Sequence, residues 1–578
     1  MPKASKNPQI YQFVGLWVTH KQANRINENR RLNKLSTFER TIRADEGTYP
    51  TVTDEVANTL KTASYARDAT KPQRVSKHPK SYTPGQYYLS TTRTSNDGVP
   101  TDQQPPADTR PLIRDLTIQG HRGKLLAWPT GALTNAPYAA SDPADYDAEP
   151  RRNVLQYDEE YAEMMTKFED ASKAPDHFVF IDARNPPRND FIITQEIRAL
   201  LAKGKFVVLF GLDPQPGVLE PEWLRQNLML DTALVRDVTD AMLRVNDAGE
   251  AFPWVRMSLD QLCERAKDPK STPLACLEIA LPELQNRFQK HLSDGHHDIL
   301  NPPPDTPMPW VLNGISRVTG YMVGNAGTHV TWFHYDSPGF GSCFQMHGTG
   351  RKFWGFACLD FTNNKDLGGL MNTYSEILSG KISVETPVRD RKGVRFFVLE
   401  VTAGCMVFAN PGTIHSVYTP SASLMTGGNF VFLFGMHIVE YARLRERSAS
   451  HDTNELDGAE QMEDAVYVQD IIVQSMACLH RRDEDIGVKP LISLCRMVAY
   501  PKDYLPAVLK SAKGPEATRL RQYHRGPSSI SDKAACARAK HILSHLSYQG
   551  WNTLREHLVE GEGLMDTLKS IPIQSLQL

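Results

Sequence analysis

The sequence predicts an α+β protein in which about a fifth of the chain, past its midpoint, is a β-barrel or sandwich. Three observations lead there. Between Gly320 and Gly435, short apolar or alternating runs are separated by Gly and Pro, at 320–323, 329–336, 342–347, 352–357, 395–401, 405–409, 415–419 and 429–434. The segment ahead of them mixes strand and helix patterns. Beyond Glu440 the apolar spacing turns helical, over about 456–482, 487–498, 530–547 and 550–570.

Taken in order, residues 1–44 carry nine Lys/Arg against Glu28 and Glu39. Ile26, Leu32, Leu35, Phe38 and Ile42 recur at helical steps over 24–43. This reads as a basic helical arm with a solvated face, able to make a weak contact with nucleic acid or an acidic protein. From about Glu46 to Pro111 the chain is rich in Pro, Thr, Ser, Asp and Gln, the composition of a linker or disordered stretch. Its basic patch, with Lys71, Arg74 and Lys77, is a candidate nuclear-import or nucleic-acid segment.

Order resumes near Leu116. His177–Ile181 and Lys205–Leu212 have the look of buried strands, and Thr194 of the cap of a helix Gln195–Lys203 ended by Gly204. Helical spacing follows at 221–247 and 276–292. Inside the β-rich region, 360–392 is too long for a hairpin and is expected to hold a small helix near Thr373–Leu378. Leu424 to Val439, the most apolar stretch, reads as a buried strand.

Composition excludes several classes. The eight cysteines are dispersed without a C-x-x-C pair, so neither a common zinc module nor a disulfide scaffold is expected. No signal pattern and no run of about 18 apolar residues occurs, which predicts a soluble intracellular protein without membrane contact. With a formal net charge of −2 in 578 residues, total charge selects no partner.

The chemistry concentrates in Thr331-Trp-Phe-His334-Tyr-Asp336 and in His415 of Asn410-Pro-Gly-Thr-Ile-His415. His334 and Asp336 are two apart, which on a strand puts both side chains on one face. A second strand bringing His415 alongside would complete two imidazoles and a carboxylate, the facial triad of non-heme Fe(II) oxygenases. Between them, Gly350-Arg-Lys352-Phe-Trp354 places a lysine in a buried-looking strand, and a buried lysine calls for an anion such as a bound dicarboxylate. His329 and His347 are competing metal candidates without a correctly spaced carboxylate. Cys343 and Cys405 read as packed thiols.

These residues resemble the Jumonji C (JmjC) domain of the 2-oxoglutarate oxygenase superfamily, in particular JmjC histone lysine demethylases. The resemblance covers roughly Thr319 to Phe434. It implies a double-stranded β-helix, a cupin-like jelly roll, with flanking helices and a helical C-terminal subdomain. It implies His334, Asp336 and His415 as catalytic iron ligands, Thr331 and Lys352 as the pair holding 2-oxoglutarate, and Fe(II), 2-oxoglutarate and O2 as cofactor and cosubstrates. The implied reaction is hydroxylation of an N-methyl group on a histone tail, with release of formaldehyde, in the nucleus. A JmjC-type protein hydroxylase and a catalytically inactive JmjC scaffold are the alternatives. The sequence departs from the family where a tyrosine is replaced by Phe344 or Gln345, and where a tryptophan is replaced by Thr413. The expected division is 1–45 basic arm, 46–115 linker, 116–318 mixed N-terminal part, 319–436 JmjC core and 437–578 helical subdomain.

Overall fold

The computed structural model describes residues 10–13, 16–19, 125–137, 149–184, 190–212, 219–241, 254–268, 273–281, 320–336, 339–348, 350–359, 367–448, 458–479, 486–506, 514–527 and 530–558, with single positions 288, 292, 294, 564 and 567. The chain divides into two compact units, Met1–Gly120 and His121–Leu578. In the first, β1 (Ile10–Phe13) pairs antiparallel with β2 (Leu16–Thr19). The expected helix at 24–43, the linker 46–115 and its basic patch lie outside the described residues.

The second unit is mixed α/β, with two large sheets. Its strands are β3 (Leu125–Ala127), β4 (Leu133–Asn135), β5 (Glu169–Asp170), β6 (Phe178–Asp182), β7 (Phe206–Phe210), β8 (Val235–Asp240), β9 (Trp254–Ser258) and β10 (Leu274–Ala280). They continue with β11 (Tyr321–Ala326), β12 (His329–His334), β13 (Gly341–Met346), β14 (Arg351–Leu359), β15 (Val394–Thr402), β16 (Met406–Ala409), β17 (His415–Thr419) and β18 (Ser423–Phe430). One sheet has the order β6-β7-β16-β13-β18-β11-β10-β8-β9, the other β12-β17-β14-β15-β5. From β11 to β18 the chain alternates between the two sheets, apart from β14 and β15, which pair in one sheet across the long insertion between them.

The core lies between the sheets. Tyr321, Phe344, Val407 and Met425 from one meet Trp354, Phe356, Leu399 and Val417 from the other in a single buried cluster. Each such side chain contributes roughly 1.5–3 kcal/mol on leaving water. β14, β16, β17 and β18 are buried at every position, since both faces of these strands are covered.

Several expectations are corrected. The helix before β7 is Asp190–Leu201, so Thr194 lies inside it, donating its Oγ1 hydrogen to the Asp190 carbonyl, and is not its cap. In the described part of 221–247 the helical spacing yields the helix Pro221–Leu228, which stops at Met229 with φ 51, and then β8. The first part of 276–292 is β10, because pairing with β11 supplies its backbone hydrogen bonds. Leu424–Val439 is not one strand. β18 ends at Phe430, and a helix, Met436–Ser448, begins nearby. The 360–392 insertion holds the helix Leu367–Leu378, longer than expected.

The C-terminal region is helical: Gly458–Cys478, Val488–Ala499, Pro515–Arg525, Ile530–His545 and Gln549–His557. Polar anchors are buried there. Glu440 accepts from Arg496, Ser493 and Tyr504, and Arg519 bridges Asp470 and Asp532. No described helix is long and apolar enough to cross a membrane.

Candidate metal centre

β12 and β17 run antiparallel, with His334 directly opposite His415 and Thr331 opposite Val417. Three steps on β12 therefore match two on β17, so β12 carries a one-residue bulge. In an unbroken strand His334 would share the face of Trp332, which is exposed. The bulge turns His334 inward, onto the face of Thr331 and His415. The backbone groups it takes out of the ladder are reused: the Phe333 N–H donates to the Tyr161 hydroxyl at 2.7 Å, and the Trp332 carbonyl receives the Nδ1 proton of His334 at 2.7 Å.

Asp336 follows at the strand end and completes the set. His334 Nε2 and His415 Nε2 lie 3.7 and 3.8 Å from Asp336 Oδ1. One ligand atom from each residue falls within 4.8 Å of the others, the single cluster of metal-ligating type among the described residues. His415 Nδ1 donates to the Thr413 carbonyl at 3.1 Å. A carbonyl only accepts, so both rings carry their proton on Nδ1 and turn the Nε2 lone pair toward Asp336. Burial, and next the neighbouring His415, push the His334 pKa down to about 3, so this ring is the neutral form a metal requires. The Ser342 hydroxyl donates to Asp336 Oδ2 at 2.9 Å, leaving Oδ1 toward the imidazoles. This donor set fits a divalent cation.

Lys352 is buried, 4% exposed, on the inward face of β14 two residues before Trp354. Its ammonium donates to Asn325 Oδ1 at 2.6 Å across the interior, and burial drops its pKa to about 7. An amide oxygen is a weak substitute for a carboxylate, so the site favours an anion. Two more donors there have no hydrogen-bond partner among the described residues: Ser423 Oγ, on the strand opposite Asn325, and the Trp354 indole N–H. Thr331 is half-buried on the same inward face as His334. Phe356 is opposite His415 and Lys352 is four residues away along β14, about 13 Å of strand. A lysine side chain and a short dicarboxylate together span a gap of that order.

The remaining candidates fall elsewhere. His329 is buried opposite Thr419 and lies outside the ligand cluster. His347 shares a hydrogen with the Thr426 hydroxyl at 2.6 Å, and burial lowers its pKa to about 4. The Cys343 thiol donates to the Gly428 carbonyl, and burial pushes its pKa up to about 12, so it is a packed thiol. Cys405 packs against the core beside Thr402. Phe344 is core, between Trp354 and Tyr321. Thr413 serves through its backbone, as the acceptor for His415.

Sequence reasoning missed Ser342, Asn325, Asn429 and Tyr321. The Tyr321 hydroxyl donates to Asn429 Oδ1 at 3.4 Å, and Ser342 Oγ is 3.2 Å from the same oxygen. A signal existed, namely isolated polar residues in otherwise apolar strands, but their partners lie on other strands. The chain matches no model of a known protein family and no curated protein sequence.

Proposed function

We propose that this chain is an Fe(II)- and 2-oxoglutarate-dependent dioxygenase of JmjC type that demethylates lysine on histone tails. The observation that carries this reading is the convergence of His334, Asp336 and His415, each imidazole pinned through Nδ1 to a backbone carbonyl. The strand orders β16-β13-β18-β11 and β12-β17-β14-β15 support it, since eight strands shared so between two sheets are expected of a double-stranded β-helix.

Iron bound with 2-oxoglutarate and O2 supplies an oxidation of a substrate C–H bond, coupled to decarboxylation of the keto acid to succinate. The chain's residues do the rest. His334, His415 and Asp336 would hold the metal, a three-residue set that on an iron leaves positions for the keto acid and O2. Ser342 fixes the orientation of Asp336. Lys352 and Thr331 receive the distal carboxylate, with Ser423 and the Trp354 N–H as additional donors. The buried aromatic cluster around Trp354 and Phe356 excludes water from that end. On an N-methyl group, the hydroxylated carbon departs as formaldehyde and leaves the shortened amine. Histone tails as partner and the nucleus as location belong to the same proposal.

The test is succinate formation from 2-oxoglutarate by anaerobically purified protein given Fe(II) and then O2, with and without methyl-lysine histone peptides. Peptide-stimulated succinate with matching formaldehyde, lost in His334→Ala and Asp336→Ala, supports demethylation. Succinate with a stable alcohol and no formaldehyde moves the reading to a protein hydroxylase. Absence of iron-dependent turnover leaves a scaffold.

A further inference from the structure

The end of β12 and the turn that leads into β17 are both contacted by one side chain from outside the barrel strands. Arg445, on the helix Met436–Ser448, is 1% exposed. Its guanidinium lies 4.0 Å from the ring of Tyr335, the residue between His334 and Asp336, and 4.4 Å from that of Tyr374 on the helix Leu367–Leu378. Its Nη1 donates to the Gly412 carbonyl at 2.5 Å, in the turn that leads to His415. Gly412 has φ +68, and a Cβ there would stand 2.8 Å from the Ala442 Cβ on the same helix. The turn is therefore pressed onto this helix, and only glycine fits both the conformation and the approach.

We infer that Arg445 is a positioning residue for the metal centre, fixing the His334–Asp336 segment and the Gly412 turn relative to each other. It acts through Tyr335 and Gly412, whose backbones continue directly into all three ligands. A planar guanidinium suits this place because its faces stack on two rings while its edge donates to a carbonyl. A metal site needs its donors held within fractions of an ångström, and losing outer contacts that orient ligands costs about 10–100-fold in metal affinity. This inference rests on the triad being a metal site.

The test titrates Co(II) into metal-free full-length protein, following the visible absorption band and the affinity. Wild type is expected to take one Co(II), and His334→Ala none. Arg445→Met, which fills the space between the rings without leaving a charge, is expected to bind about 10–100-fold more weakly with an altered band. Arg445→Lys, which keeps the charge and loses the fork, is expected to fall between, and decides the matter if the methionine variant does not fold. Leu494→Ala, a buried truncation in the helix Val488–Ala499, is expected to lower the melting temperature and leave Co(II) binding unchanged. Wild-type affinity and band in the Arg445 variants overturn the inference while the metal reading stands, as does an equal weakening in Leu494→Ala. No Co(II) bound by wild type overturns the metal reading and this inference with it.

Discussion

Trp354 lies flat against His415, with ring centroids 5.1 Å apart and planes within 10° of parallel. The contact fixes the one rotation of the imidazole that its bond to the Thr413 carbonyl leaves soft. It also places a fluorophore beside the proposed metal. Trp354→Leu is expected to weaken Co(II) binding by about tenfold. Ni(II) or Co(II) is expected to quench part of the wild-type tryptophan emission, and that part is expected to vanish in Trp354→Phe. Quenching of equal size in both proteins would place the metal elsewhere.

Ser342 donates to the Asp336 oxygen that does not face the imidazoles. Ser342→Ala is expected to leave the melting temperature of the metal-free protein within a few degrees, because it removes a single hydrogen bond of about 1 kcal/mol. It is expected to lower metal affinity about 10-fold. Equal metal affinities, measured by competition with a chelator, would remove Ser342 from the site.

Lys352 makes the stability depend on pH in a defined direction. Its folded pKa is about 7, below the value of an exposed lysine, so the unfolded chain binds more protons between pH 7 and about 10.5. Stability of the ligand-free protein therefore rises with pH across that window, on the order of 4 kcal/mol from this residue alone. Lys352→Met is expected to flatten the rise in denaturant titrations at pH 7 and 10.

The same lysine is expected to couple dicarboxylate binding to proton uptake. Succinate or 2-oxoglutarate needs the charged form, so affinity is expected to fall by up to about tenfold per pH unit above pH 7. Calorimetry in buffers of different ionisation enthalpy measures the proton directly. Binding with no proton uptake at pH 8 would separate Lys352 from the anion.

In the C-terminal helices, Arg496 donates to Glu440 while both are buried. Arg496→Met leaves the carboxylate without its cation and is expected to cost about 3–5 kcal/mol in chemical denaturation. A loss below 1 kcal/mol would mean the pair is solvated in solution.

The β-rich region is legible because it depends on local spacing, and the triad because of the types and order of its residues, although the bulge that turns His334 toward His415 shows in neither. His415–Thr419 was expected with the bounds it has, and the other strands from Tyr321 to Phe430 overlap their apolar runs. What could not be read depends on distant partners. Helical spacing at 221–247 lost to strand pairing at Val235–Asp240, since β9 and β10 lie beside it only in the fold. Ser342 looks like any strand serine until β13 is set beside the end of β12. Arg445 looks like one basic residue of a surface helix, although its neighbours Tyr335, Tyr374 and Gly412 come from three separate segments.

The bulge in β12 is what reconciles an odd step with a shared face. Three residues separate Thr331 from His334 where two separate Val417 from His415, and the extra residue is absorbed outside the ladder. Deleting Trp332 or Phe333 would leave two steps on each strand, so His334 would still stand opposite His415 and on the face of Thr331, now in a regular ladder. The ligand set therefore depends on the pairing of the two histidines across the strands and not on the count of residues that leads to it, and a chain with one position fewer there would carry the same site on a straighter strand.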